Sequence, residues 1–250
     1  MESKSVEWKS LIYNLPNKVA KFLMNSLSDT LNTNANLSRW GKRSSANCKR
    51  CENRETVHHV LNACPMSLDE GRYTWRHDNI LMYLAETIQE GIHSFVDVIM
   101  YTDLKEERWT KEGISTIPLE CTQTNLIPDI CILWKNIKKL LILELSVPFE
   151  MNIPNAHEYK SNKYAPLVTD IEANGYSVVY LPLEIGSRGH ISPDNATRLK
   201  RLLKETGSPV RLKQFQKNLS KLSIVSSFVI YYSKNSNKWE TKLPLRVSKT

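Results

Sequence analysis

Between residues 7 and 31, apolar side chains recur at helical spacing: Trp8, Leu11, Ile12 and Leu15, then Val19, Phe22, Leu23 and Leu27, with Pro16 between the two sets. This pattern predicts two short helices. The periodicity stops over residues 32–43, a stretch rich in Asn, Ser and Thr that reads as a connector. It returns at 76–90, where Ile80, Leu81, Leu84 and Ile88 share one stripe of an amphipathic helix. The pattern then shifts to short runs of Val, Ile, Leu and Tyr at 95–101, Ile130–Trp134, 140–147 and 176–183, bounded by turn formers or charges, and these are predicted strands. Between the last two runs a helix is expected to start at Asn155, with Glu158 near its positive end and Pro166 kinking or ending it. Lys/Leu-rich helices follow beyond Ala196. The order predicts an α/β chain divided into a helical segment 1–44, a small Cys/His unit 45–68, an α/β domain 72–205 and a basic segment 206–250.

Composition narrows the function classes. With 250 residues, 41% of them apolar, the chain can bury a sizeable core as one large domain or two small ones. No apolar run approaches the ~18 residues of a bilayer span, so no membrane partner is expected. The polar start MESKSVEWKS lacks a secretory core, which favours an intracellular, reducing setting and makes the five cysteines thiols or metal ligands rather than disulfides. The net charge of +8 is uneven: residues 198–250 hold thirteen Lys/Arg against two acids, which leaves the preceding 197 residues three charges negative. A segment that basic attracts phosphate backbones, or is simply a solvated tail.

Two constellations carry chemistry. Cys48, Cys51 and Cys64, with either His58 or His59, give three thiolates and one imidazole within 17 positions, a full tetrahedral set for zinc. Such a site supplies on the order of 10 kcal/mol of folding free energy to a segment too small for its own core. Cys121 and Cys131 have no ligand spacing, and Cys131 reads as a core residue of its strand.

The second constellation is acidic. Asp129 opens one predicted strand and Glu144 is the only charge in LLILELSVPF. A hairpin turn centred near Asn136 and Ile137 sets the two carboxylates opposite each other, an arrangement that suits a hard cation such as Mg2+. A buried acid of this kind needs either a metal or an ion-pair partner, for which Lys163 is a candidate. On the following helix Lys160, Lys163, Tyr164 and Leu167 fall within one arc, so two ammonium groups and a phenol share a face.

These residues also carry a resemblance. CKRC…ETVHHVLNAC, GRYTWRHDNIL, IPDICILWKNIKKLLILELSVPFE, AHEYKSNKYAPL and LPLEIGSRGH, in that order from about Trp8 to Leu203, resemble the C-terminal region of polyproteins from non-LTR retrotransposons that encode a restriction-like endonuclease. The resemblance implies a CCHC zinc knuckle, with His59 at the family spacing, followed by a PD-(D/E)XK nuclease domain with a mixed sheet flanked by helices. It further implies nicking of target DNA to prime reverse transcription in the nucleus, with element RNA as a possible second partner. Asp129 and Glu144 would hold Mg2+ or Mn2+, Lys160 or Lys163 would be the catalytic lysine beside Tyr164, and Arg76 and His77 would contact nucleic acid. The family's strand lysine is missing from Glu144-Leu145-Ser146, and residues from about Gly207 onward have no counterpart. No reverse-transcriptase signature is present, since the nearest segment, Tyr101-Thr102-Asp103-Leu104, has Leu at its fourth position.

Overall fold

A computed structural model describes residues 8–104 and 117–239, so the polar N-terminal residues and the last part of the expected basic segment, 240–250, lie outside the described residues. In chain order the elements are α1 (Trp8–Tyr13), α2 (Asn17–Leu27), α3 (Asn34–Arg39), a π-helical turn (His59–Ala63), α4 (Pro65–Asp69) and α5 (Arg72–Ile92). They continue with β1 (Val98–Thr102), β2 (Ile130–Trp134), β3 (Lys139–Ser146), a 3₁₀ turn (Glu150–Asn152), α6 (Ile153–Ala173), β4 (Ser177–Glu184), α7 (Pro193–Thr206) and α8 (Leu212–Tyr232). The fold is a mixed α/β arrangement with N-terminal helices, a Cys/His cluster and a four-stranded sheet flanked by helices. Among the described residues no helix is long and apolar enough to cross a membrane.

The sheet runs β1-β2-β3-β4, antiparallel for the first two pairings and parallel for the last, with α6 making the crossover that a parallel pair requires. Both faces are covered, which explains why β2 is buried at every position rather than alternating. Ile130, Ile132, Leu141, Leu143 and Leu145 join Ile80, Leu84, Leu199 and Phe215 in the larger core, under α5, α7 and α8. Cys131, Leu133, Leu140 and Ile142 point the other way and pack with Tyr164, Leu167 and Ile171 of α6. Asp129 and Glu144 share the parity of this second set, so the fold directs both acids toward α6.

Several boundaries depart from expectation for identifiable reasons. The expected connector contains α3, because Thr33 accepts a hydrogen bond from the Asn36 amide and starts a helix that propensity alone does not favour. The helix after β3 begins at Ile153 rather than Asn155, with Pro154 in its first turn, where a missing N–H costs nothing. Pro166 does not end it: α6 runs unbroken to Ala173 with Pro166 on its exposed side, where water can reach the carbonyl left without a donor. The segment beyond 206 is not a solvated tail either. α8 buries Phe215, Leu219, Leu222 and Ile230 and packs against α2 and α5. Its Ser223 and Ser227 hydroxyls donate to the carbonyls of Gly186 and Ser187, so small residues bring the helix close to that loop. Gly91 serves a similar close approach, since a Cβ there would stand 2.4 Å from the Thr206 carbonyl oxygen.

Candidate functional site

The Cys/His unit is built by two turns. Asn47 and Arg54 pair as an isolated antiparallel bridge, Cys48 and Asn53 bond through their backbones, and Glu52 takes a left-handed φ of 63°. This tight loop aims Cys48 and Cys51 the same way. The π-helical turn then delivers His59, and Cys64 ends it; an expanded turn of this kind is common where a side chain must be re-aimed. The four ligand atoms lie within 4.8 Å of one another, with Cys51 Sγ 3.4 Å from His59 Nε2 and 3.9 Å from Cys64 Sγ. Thiolates bound about 2.3 Å from one tetrahedral centre lie roughly 3.8 Å apart, so the spacing suits zinc. Burial, with Cys48 and Cys64 close by, pushes the Cys51 thiol up to about 11, a crowding that a cation relieves by taking the place of the protons. His59 is buried, which lowers its pKa and favours the neutral, ligating imidazole. His58, the rival ligand, lies outside the cluster, edge-on to Phe149 and 3.4 Å from Asn152. Tyr73 braces the turn: its hydroxyl accepts from the Cys64 amide and lies 3.2 and 3.1 Å from the carbonyls of His59 and Val60.

Asp129 and Glu144 meet where β2 and β3 pair. The register Ile130↔Leu143 continues to Asp129 opposite Glu144, and the turn spans residues 135–138. Each carboxylate caps the other's strand: Asp129 N–H donates to Glu144 Oε2 at 3.3 Å, and Leu145 N–H donates to Asp129 Oδ2 at 2.6 Å. Both residues are buried. Burial and the nearby Asp129 raise the Glu144 pKa, while Lys160 and Tyr164 oppose the shift. The lysine paired with Glu144 is Lys160, not Lys163, whose ammonium lies 5.0 Å over the Tyr164 ring on the exposed side of α6. Tyr164 is fully buried, and its hydroxyl donates to the Ile127 carbonyl at 3.3 Å while facing Glu144.

Arg76 and His77, expected together at nucleic acid, part company. Arg76 is 1% exposed, and its guanidinium donates to the carbonyls of Leu61 and Val147 and to the Ser227 hydroxyl. A side chain so enclosed ties the π-helical turn, the end of β3 and α8 together, and direct contact with a polynucleotide does not fit its position. His77 instead joins the acids. Its Nε2 lies 3.3 Å from Asp129 Oδ2 and its Nδ1 3.1 Å from Asp78. Burial lowers its pKa, but Asp129 and then Asp78 outweigh that and raise it to about 10, so it is an imidazolium.

Sequence reasoning missed a third polar group on the same face of the sheet. Glu184 ends β4 with 2% exposure, bonded to His157 Nδ1 at 2.9 Å and to Arg198 Nη1 at 3.1 Å. His157 precedes Lys160 by one helical turn, so α6 presents His157, Lys160 and Tyr164 along one side. The available signal was the lone acid in YLPLEIG, the counterpart of Glu144 in its own strand.

Residues 1–69 match the family model zf-RVT, described as zinc-binding in reverse transcriptase. All four cluster ligands fall inside the match. The N-terminal part of the chain is therefore similar to a zinc-binding region of reverse-transcriptase-type proteins, and the Cys3His cluster supplies its ligands. No curated protein matches the chain.

Proposed function

We propose that the protein is a retroelement-derived, divalent-metal-dependent DNA endonuclease. The observation that carries this reading is the pairing of Asp129 with Glu144 across β2 and β3 beneath a lysine of α6. Burial, and after it the neighbouring Asp129, raise the Glu144 pKa, and two acids held side by side in this way suit a hard cation. Asp129 and Glu144 would hold Mg2+ or Mn2+, which when bound supplies a polarised water and neutralises phosphate charge. Lys160 reaches the same carboxylate and is poised to stabilise charge developing on a phosphodiester, while Tyr164, bonded to the Ile127 carbonyl, faces Glu144 from the buried side of α6. The zinc cluster has a structural role, holding the turn to which Arg76 and Asn62 attach the end of β3. A DNA substrate implies a nuclear location, and element RNA is a further partner consistent with the zinc-binding match.

One observation favours a second reading, an inert nuclease fold retained for binding: Asp129 and Glu144 each already face a protein cation, His77 and Lys160. Plasmid nicking separates the two. The endonuclease reading expects zinc-loaded protein to nick supercoiled DNA only with Mg2+ or Mn2+, and Asp129→Ala to abolish nicking. Absence of nicking with every divalent metal, alongside intact DNA binding, would establish the inert fold.

A further inference from the structure

The chain's average charge conceals a second basic concentration. Residues 39–54, RWGKRSSANCKRCENR, hold six Lys/Arg and a single acid, Glu52, although the first 197 residues are net negative. A bound zinc with three thiolates would contribute one negative charge, leaving the stretch strongly positive. Two of the six cations are committed to carboxylates, Arg39 to Asp29 and Arg50 to Glu70, and the nearby Glu55 is buried against Lys234. Among the described residues no ion pair engages Lys42, Arg43, Lys49 or Arg54, and all four side chains are exposed.

The shape of this surface is as informative as its charge. Arg43, Ser44, Ser45, Asn47 and Lys49 border a cavity of about 430 Å³ that abuts Cys48, with the buried Asn34 at its floor holding Arg43 through a hydrogen bond. Hydroxyls, amides and cations line it, with Glu52 the one acid at its edge. At the end of α3, Trp40 is 37% exposed, with Arg39 Cζ 5.9 Å and Lys42 Nζ 5.6 Å from its ring centroid. An indole left at the surface among cations is a stacking platform for a base, and the cations beside it match the phosphates on either side. Bases inside a duplex have both faces covered and cannot use such a platform.

We infer that residues 39–54 form a binding surface for single-stranded polynucleotide, with phosphates on Lys42, Arg43, Lys49 and Arg54 and one unpaired base on Trp40. This inference does not depend on the acid pair, and its test omits catalytic metal so that cleavage plays no part. Fluorescence anisotropy of labelled oligo-dT, oligo-U and a duplex of equal length is measured with the zinc-loaded full chain in Mg2+-free buffer. The expected result is tighter binding of single strands than of duplex, with the dT and U arms showing whether DNA or RNA is the better source. Trp40→Ala should weaken single-strand binding about tenfold and Trp40→Phe much less. Lys42→Ala with Lys49→Ala should lower the salt-dependence slope by about 1.4. Zinc content and melting temperature check that each variant is folded, and if Trp40→Ala loses zinc, the lysine pair decides. Unchanged affinity in folded Trp40→Ala together with an unchanged salt slope, duplex binding at least as tight as single-strand binding, or no polynucleotide binding would each overturn the inference.

Discussion

The Cys/His cluster and the acid pair solve the same problem, holding like-charged ligands together, by opposite means. The cluster draws its four ligands from 17 consecutive positions beside a small apolar cluster of Val57, Val60, Leu61, Phe22, Leu31 and Phe149, and a bound ion would offset the repulsion among its thiolates. The acid pair joins Asp129, just before β2, to Glu144 of β3, with a histidine 52 residues before Asp129 and a lysine on a later helix as partners, and two apolar clusters pack the two faces of this sheet. On the proposed function, the lesson is that a metal with a structural role and a metal with a chemical role would separate within one chain. Removing zinc should unfold the first region, whereas on the proposed function withholding Mg2+ or Mn2+ should leave the second folded but without nicking.

The largest effect tests that contrast. Cys51→Ser should abolish stoichiometric zinc by elemental analysis and remove on the order of 10 kcal/mol from the local fold, read as loss of the cooperative melt. Asp129→Ala should lower nicking at least about 10²-fold, as loss of one preorganised electrostatic group does, while zinc content stays at one per chain. Arg76→Met acts on the join between the regions. It leaves the Leu61 and Val147 carbonyls and the Ser227 hydroxyl without their donor, so denaturant unfolding should show a loss of about 3 kcal/mol with zinc retained.

A smaller effect sharpens the acid side. The His77 pKa rises from 6.5 in the unfolded chain to about 10 in the fold. Its pairing with Asp129 therefore stabilises fully below about pH 6.5, and that contribution is lost as pH rises through about 10. In buffer without Mg2+, His77→Gln should flatten the decline of melting temperature across this window. Smallest of all, Lys163→Ala should change stability by less than ~0.5 kcal/mol and leave nicking near wild type, whereas Lys160→Ala should not, because only Lys160 reaches Glu144.

How much of this was legible in the amino-acid order follows from the range of the interactions. The β2–β3 register could be read because one short turn fixes it, and with it the meeting of Asp129 and Glu144. The ligand spacing in 45–68 was local and equally readable. What escaped were contacts set by packing between distant segments. Arg76 looks like any basic residue on an exposed helix face until α8, 151 residues away at Ser227, covers it. Helices were expected beyond Ala196, but the burial of α8 was masked by averaging: its lysines gave a basic segment, while Phe215, Leu219 and Leu222 form the stripe that buries it. Glu184, and the pairing of His77 with Asp129 in place of the expected nucleic-acid contact, were missed because the partners, Arg198 and Asp129, converge only once the sheet is covered on both faces.

The central claim is that Asp129 and Glu144 share one divalent ion independently of the zinc cluster. Calorimetric titration of Mn2+ into zinc-loaded protein addresses it directly. One Mn2+ per chain is expected for the wild type and none for Asp129→Ala or Glu144→Ala, with zinc content equal in all three. Equal Mn2+ binding by wild type and both variants would contradict the claim.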